Sequence, residues 1–590
     1  MRQIVIDHIS EYLQEFCREC GIEYSAPLVD VQRPPRSEMG DFSLASPMRL
    51  AKQLKKPPLE IAKSIAEKIR SGNKFFEKVE TAPPGFVNFF LKNDTISDAL
   101  GEVFGKTHEC VKSHNPSTVV IDYSSVNIAK QMHVGHLRST IIGDVLARVL
   151  EARGKTVIRQ NHLGDWGLPI AMVLWKVSPV LREIEKSGKD ASAELPLEKL
   201  EGYYRASAKE CSESKSAAEE VHKILIKLQN GDSVLLADWK TITRLSMHEV
   251  YRMYKILDVK LYEENERGES FYRDMLAETV AKISESGKLV ESQGAKCVFL
   301  SQFKTKDGDP LPIIVQKSDG GYNYDTFDLA ALRYRIDLLH ADRIIYVTDS
   351  RQALHFSQLF ALGKELKWTE RSGKEAILEH VTFGSVLGED GKPLKTRSGE
   401  NIKLSDLLQE AIDKAHSVVN EKNPDLSSEK KLAVAMSVGI GAVKYADLSQ
   451  NRNNDYIFSF DRMLSLNGNT APYLQYAHAR VCSIFRKGSV IESQIPQKPL
   501  EMNETERLLA LKILQLPEIV SLVETELRPH YLCTYLFELA STFAVFYDEC
   551  PILTAATENQ KLSRISLCKQ VRDVISFGLS LLGIESPQEM

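Results

Sequence analysis

Two histidines three positions apart with a glycine between them, His133, Gly135 and His136 in the string DYSSVNIAKQMHVGHLRST, have types and spacing that could do chemistry. They fall where a loop becomes a helix. A helix N-terminus offers unpaired N–H groups and a partial positive charge, both suited to phosphate. Two imidazoles there can donate hydrogen bonds to oxygens that gain charge while a phosphorus atom is attacked. Gly135 lacks the Cβ that would keep a flat base off the backbone. On the tetrapeptide alone, the pair fits equally well a plain surface at a helix start.

The surrounding elements favour the chemical reading. VVIDYSS (119–125) reads as a strand, and GHLRSTIIGDVLARVLEARG follows as a helix. In it Leu137, Ile141, Ile142, Val145, Leu146, Val149 and Leu150 repeat with helical period, and Gly154 fits the stop. TVIRQNHL then reads as a second strand. Strand, loop, helix and strand in close succession form a βαβ unit, hence a parallel sheet covered by helices. Ligands of such sheets sit outside the carboxyl ends of the strands, where the HVGH loop must lie.

Residues 1–112 read as a smaller α/β unit. Helical periodicity at Ile4, Ile9, Tyr12, Leu13 and Phe16 is followed by a second helical run over 59–69 and a β-like GFVNFFL after Pro83-Pro84. The charged stretch from about 178 to 290 reads as a helical insertion in the sheet domain. Strand signals return at 297–301, 311–315 and 343–349, and from about 403 the chain is almost entirely helical. After the Gly320-Gly321 break a helix is expected with Asp325 as N-cap, Tyr324 just before it and Asp328 in its first turn.

At 590 residues, 43% hydrophobic and 26% charged, the chain has room for several ordinary globular cores. A net charge of −5 means that an RNA partner would need local basic faces. The run Arg49, Lys52, Lys55 and Lys56 fits such a face or a solvated helix equally. Nine scattered cysteines make no disulfide framework, and Cys17 and Cys20 lack partners for a zinc site, reading as helix-surface thiols. No dedicated metal site is expected. No apolar run approaches the roughly 18 residues a membrane helix needs. Asp7 and Glu11 make the N-terminus unlike a transit peptide. A reducing, cytoplasmic setting follows as the expectation.

HVGH resembles the "HIGH" signature of class I aminoacyl-tRNA synthetases, and SSVNIAKQMHVGHLRSTIIGD is similar to the arginine-specific members of that class. NHLGDWG (161–167), GGYNYDTFDLAALRYR (320–335), LSQNRNNDYIFSFDRMLSLNGNTAPYLQYAHAR (448–480), GDFSL and LGIESPQEM extend the resemblance over essentially the whole chain. It implies a Rossmann-type catalytic domain over 113–385 and a signature-loop and connecting region over 386–459. It also implies an all-helical anticodon-binding domain over 460–590 and a tRNA-contacting N-terminal domain.

The resemblance further implies roles. His133 and His136 would act in adenylate formation, and Gly135, Lys395 and Arg397 would lie at ATP phosphates. Ser125, Asn127, His136, Tyr324, Asp328 and Gln352 would hold arginine, with Tyr324 and Asp328 reading the guanidinium. The second class signature, a KMSKS loop, corresponds to GKPLKTRSG (391–399), with Thr396 where its second lysine is expected. Lys130 would supply the missing charge. ATP as substrate, Mg2+ as its companion, and arginine and tRNA(Arg) as partners follow, with a monomer as the default. Tyr473, Tyr476, Phe546 and Tyr547 could stack on splayed bases or fill a core. Three rivals remain: a class I synthetase for another amino acid, a non-catalytic RNA-binding relative, and a nucleotidyltransferase sharing HxGH.

Overall fold

A computed structural model describes residues 1–25, 29–395 and 402–590. Four parallel strands form the central sheet: β1 (Thr118–Asp122), β2 (Thr156–Gln160), β3 (Arg343–Asp349) and β4 (Ile377–Phe383), in the order β4-β3-β1-β2. Val119, Val120 and Ile121 are all buried, as a strand covered on both faces requires. The strand signals at 297–301 and 311–315 belong elsewhere. They form a separate antiparallel sheet of Val290–Ser292, Ala295–Lys304 and Pro310–Gln316. The strand missing from the sequence reading is β4, in whose ILEHVTF the adjacent Glu379 and His380 interrupt the apolar run.

Helix α1 (Val134–Ala152) leaves the carboxyl end of β1 and is buried along its whole length from Leu137 to Leu150. Its apolar periodicity suggests an amphipathic helix with one wet face, yet both faces are covered. The sheet covers one, and the helices Ser428–Leu448, Leu516–Glu526 and Glu558–Leu581 cover the others. Its charged residues must therefore be paired internally. Arg138 Nε lies 2.9 Å from the Asp447 carboxylate, and Arg148 Nε donates to Asp144 Oδ2 at 2.6 Å.

The helical insertion begins earlier than composition suggests, with Leu168–Ser187, and runs through Ser233–Ile256 to Glu269–Glu285. Helix α2 (Tyr324–Arg333) is capped by Asn323, not by Asp325 as expected, and Asp325 is buried. Helix α3 (Ala353–Glu365) packs beside it. The N-terminal unit has a four-stranded antiparallel sheet backed by helices. Cys17 lies in its core, contrary to a surface thiol, while Cys20 is exposed. Among the described residues, no helix is long and apolar enough to cross a membrane.

The sheet's carboxyl edge is fixed by a fully buried arginine. Arg335, just after α2, donates to Asp122 Oδ2 and Gln160 Oε1, each at 2.6 Å, joining the ends of β1 and β2. Removing one partner would strand the other as a buried charge, at a cost of roughly 3–5 kcal/mol. Arg335→Met should therefore lower the melting temperature markedly, whereas Arg335→Met with Asp122→Leu should regain most of the loss. A single variant that melts like the parent would show that this pair does not hold the sheet edge.

Candidate active site

His133 is the N-cap of α1 and His136 its third residue, and each ring accepts a backbone N–H of the helix start. His133 Nδ1 accepts from Gly135 N at 3.0 Å, while His136 Nδ1 accepts from His133 N at 3.1 Å. This is a capping box built from two imidazoles. With both Nδ1 atoms accepting, a neutral ring in each case carries its proton on Nε2. The ring centroids lie 3.9 Å apart. Burial, the neighbouring ring and Lys130 push His136 down to about 3. Burial also lowers His133, with Lys130 and Arg351 adding to it and Glu201 opposing. Both are neutral Nε2–H donors at pH 7. Gly135 has a further reason to be glycine, because a Cβ there would sit 2.8 Å from the His133 ring.

The loop from β1 to α1 contains three non-glycine residues with left-handed backbone: Ser124 (φ 73°), Ser125 (φ 49°) and Ala129 (φ 60°). Each costs roughly 1–2 kcal/mol and persists only where its surroundings fix it. Ser124 N donates to Ser139 Oγ, and Ser124 Oγ bonds Thr140 and Tyr254. Ser125 N donates to Asn161 Oδ1, and Ala129 N to Ser246 Oγ. Tyr254 and Ser246 come from the insertion helix Ser233–Ile256, so the insertion shapes the loop directly. NHLGDWG supplies Asn161, then Gly164, where a Cβ would fall 2.2 Å from Asn127 Oδ1. Its Asp165 caps the start of Glu269–Glu285 through Ser270. Asn127 is exposed and Ser125 half-buried beside it.

The chain on both sides of the basic loop is anchored. Leu394 N donates to Val386 O at one end; at the other, Val134 N donates to Ile402 O and Leu404 N to Met132 O. The residues leaving the loop thus pair with the signature backbone itself. Lys395 is exposed, and Thr396 and Arg397 lie outside the described residues. Lys130, offered as the substitute cation, sits with its ammonium 4.5 Å above the Tyr204 ring of the insertion.

A cluster of acids gathers around α2. His355, on α3, bonds Asp325 Oδ1 through Nδ1 (3.0 Å) and Asp328 Oδ2 through Nε2 (2.6 Å). Burial opposes its charge, but the two carboxylates outweigh burial and raise His355 to about 9. Burial likewise opposes the Asp328 charge, and His355 with His162 and Arg335 holds that carboxyl below its ordinary value. One oxygen of Asp328 is therefore already engaged. Glu269 supplies a second carboxyl, which burial together with Asp165 and Asp328 pushes up to about 8. Tyr324 is exposed and meets His355 edge-on at 5.0 Å. Gln352 lies in the short turn Ser350–Gln352 that leads into α3. Sequence reasoning missed Glu269 and His355. His355 stands three residues after Gln352, but nothing in ERGESF distinguishes Glu269 before folding brings it near Asp328.

In the C-terminal region, Tyr476 and Tyr547 are exposed and flank Arg480, whose guanidinium lies 4.8 and 4.7 Å from their ring centres. They line a groove of about 690 Å3 with Arg486 and Lys487. Phe546 is fully buried and Tyr473 half-buried, so Phe546 is a core residue and no stacking platform.

The family model for the catalytic domain of class I (R) tRNA synthetases matches residues 99–460. The arginyl tRNA synthetase N-terminal domain model matches 3–91, and the DALR anticodon binding domain model 474–590. The chain is 44% identical over 562 residues to the arginine–tRNA ligase of Shewanella piezotolerans, covering 95% of each. It is 42% identical over 583 residues to that of Histophilus somni, covering 99% of each. The crystal structure of arginyl-tRNA synthetase from Plasmodium falciparum superposes with a TM-score of 0.81 at 30% identity, over 100% of this chain and 99% of that one. The Thermus thermophilus arginyl-tRNA synthetase, at 24% identity and a TM-score of 0.78, shares the fold over the full length of both chains.

A histidine-capped helix at the carboxyl edge of a parallel sheet, matched by that catalytic model, defines a class I aminoacyl-tRNA synthetase. The chain belongs to the arginine–tRNA ligase family, and its reaction is the ATP-driven joining of arginine to tRNA(Arg).

One substitution separates capping by His133 from any contribution to the reaction. Asparagine is among the best N-cap residues, so His133→Asn should keep the helix start and the melting temperature. It removes the Nε2–H donor, and loss of one such donor is worth roughly 3–4 kcal/mol in kcat. A folded His133→Asn enzyme with parental kcat would leave His133 as a cap alone.

Proposed function

We propose that the two Nε2–H groups of His133 and His136 receive the α-phosphate oxygens of ATP as they gain charge, with Gly135 and the start of α1 beneath the nucleotide. The observation that carries this reading is that each Nδ1 accepts a backbone N–H, which puts the proton of each neutral ring on Nε2. In the first step an arginine carboxylate oxygen attacks the α-phosphorus. The bond to the β-phosphate bridging oxygen breaks, and pyrophosphate leaves. In the second, the terminal ribose hydroxyl of tRNA attacks the arginyl carbonyl and AMP leaves. Catalysis is mostly positioning and charge stabilisation. Lys130 would have to exchange Tyr204 for phosphate, joined by Lys395 and Arg397.

The arginine backbone groups would meet Ser125, Asn127, His136 and Gln352, and its guanidinium would meet Tyr324, Asp328 and Glu269. Because His355 already holds one Asp328 oxygen, two acids share the cation, in place of a fork on Asp328 alone. This acidic end favours arginine over the substrates of other class I enzymes. Among the described residues, no group of three or more His, Cys, Asp or Glu side chains is gathered to hold a metal. Mg2+ would then arrive on the phosphates of ATP, and no step is assigned to it. The unit 1–112 would contact tRNA, and Tyr476, Arg480 and Tyr547 of 460–590 would stack on anticodon bases. The enzyme would act as a cytoplasmic monomer.

The acid pair makes arginine binding pH-dependent. Glu269, raised to about 8, is mostly protonated at pH 7 in the empty pocket. An arriving guanidinium favours its ionised form, so binding should release a proton. Arginine Kd should tighten by up to about tenfold per pH unit from pH 6.5 to 8. Glu269→Gln should flatten this slope, and Asp328→Asn should raise arginine KM by roughly one to two decades with ATP KM unchanged. A flat parental profile would remove Glu269 from the pocket, and an unaltered Asp328→Asn enzyme would remove Asp328. Arginine-dependent ATP–pyrophosphate exchange, measured with tRNA(Arg) present and with other amino acids as controls, tests the whole assignment.

A further inference from the structure

The signature loop begins at Tyr123, directly before the two left-handed serines. Tyr123 is fully buried, and its ring lies so close to α1 that a Cβ on Gly143 would fall 2.3 Å from it. Its hydroxyl donates to Asp144 Oδ1 at 3.3 Å, an oxygen that also accepts from Lys260 N at 2.9 Å. The other oxygen of Asp144 takes Arg148 Nε at 2.6 Å. Arg148 then reaches out of the catalytic domain. Its Nη1 donates to Ser580 O at 3.1 Å, and its Nη2 to the carbonyl and carboxylate of Asp258, the latter at 3.0 Å.

Lys444, wholly buried beside it, donates to Leu257 O and to Gly583 O. Gly583 has φ +61°, and a Cβ there would lie 2.5 Å from Lys444 Nζ. Ser580 and Gly583 lie in the segment matched by the anticodon-binding model, and Leu257 and Asp258 directly follow the insertion helix Ser233–Ile256. A continuous polar chain therefore joins the far end of the anticodon module to the first residue of the catalytic loop. Two buried cations are expensive unless each contact is made, so the chain fixes five segments in one arrangement.

We propose that Asp144, Arg148 and Lys444 are positioning residues through which the seating of residues 580–583 sets the conformation of the signature loop and hence the rate of adenylate formation. This rests on the reading that the loop and its histidines are catalytic. It makes an unusual demand: a change in the anticodon module should slow amino-acid activation without weakening tRNA binding.

The test is adenylate formation at saturating ATP, arginine and tRNA(Arg) for Tyr123→Phe, Gly583→Ala and the double variant, beside His133→Ala as reference. Tyr123→Phe removes only the hydroxyl. Each single change should lower kcat on the order of tenfold, with KM for tRNA within about twofold. The double variant should be no slower than the worse single one, because both break one chain. Penalties that multiply, or a Gly583→Ala enzyme with intact kcat and raised tRNA KM, would overturn the proposal. Should Gly583→Ala melt below assay temperature, Lys444→Met takes its place under the same criteria. A His133→Ala enzyme at full rate would instead overturn the underlying reading of the loop.

Discussion

The arrangement depends on two imidazoles that both cap the start of one helix. Each Nδ1 faces a backbone N–H, so protonating either ring would set donor against donor and break the cap. Burial and the mutual closeness of the rings act in the same direction, taking His136 far below its ordinary value. Folding thus selects the species that chemistry at phosphorus can use: a neutral donor, preorganised, with its tautomer fixed by the backbone. The sign follows from linkage. The folded state resists protonation, so these groups contribute stability above about pH 6.5 that is lost as pH falls toward the folded value.

Holding that cap still explains much of what surrounds it. A helix whose first turn must stay fixed is here buried all round, and its charged residues are matched by internal partners such as Asp447. The strained loop before it is shaped by Ser246 and Tyr254 of the insertion and by Asn161 of NHLGDWG. The insertion is therefore part of the site's scaffold. The chain leaving the basic loop bonds to residues 132–134, so the second signature is tied to the first through main chain. The N-terminal and anticodon modules are in turn joined to each other, with Arg507 donating to both oxygens of Asp41 in GDFSL.

Much of this was legible from residues that are neighbours in sequence. The βαβ unit, the helix start at HVGH and the helical C-terminal half follow from periodicity. What escaped depends on contacts between distant segments. The 297–301 and 311–315 runs are strands, but apolar pattern does not say which sheet a strand joins. β4 escaped because Glu379 and His380 sit side by side at its centre and break the apolar run. Asp328 was found by resemblance, whereas His355, which bonds it, and Glu269, whose carboxyl feels its charge, lie 27 and 59 positions away and come near it only in three dimensions. Phe546 reads the same as Tyr547 in a linear pattern, and only the helix face separates core from groove.

The neutral Nε2–H state of the signature histidines, fixed by backbone N–H groups at both Nδ1 atoms, is open to direct observation. Nitrogen-15 spectra of the histidine side chains, with His133 and His136 assigned by substitution among the 14 histidines, report tautomer and charge at each ring. His136 should hold the neutral Nε2–H pattern from pH 5 to 8, and His133 should titrate below 6.5. Two rings titrating together near 6.5, or either carrying its proton on Nδ1, would contradict it.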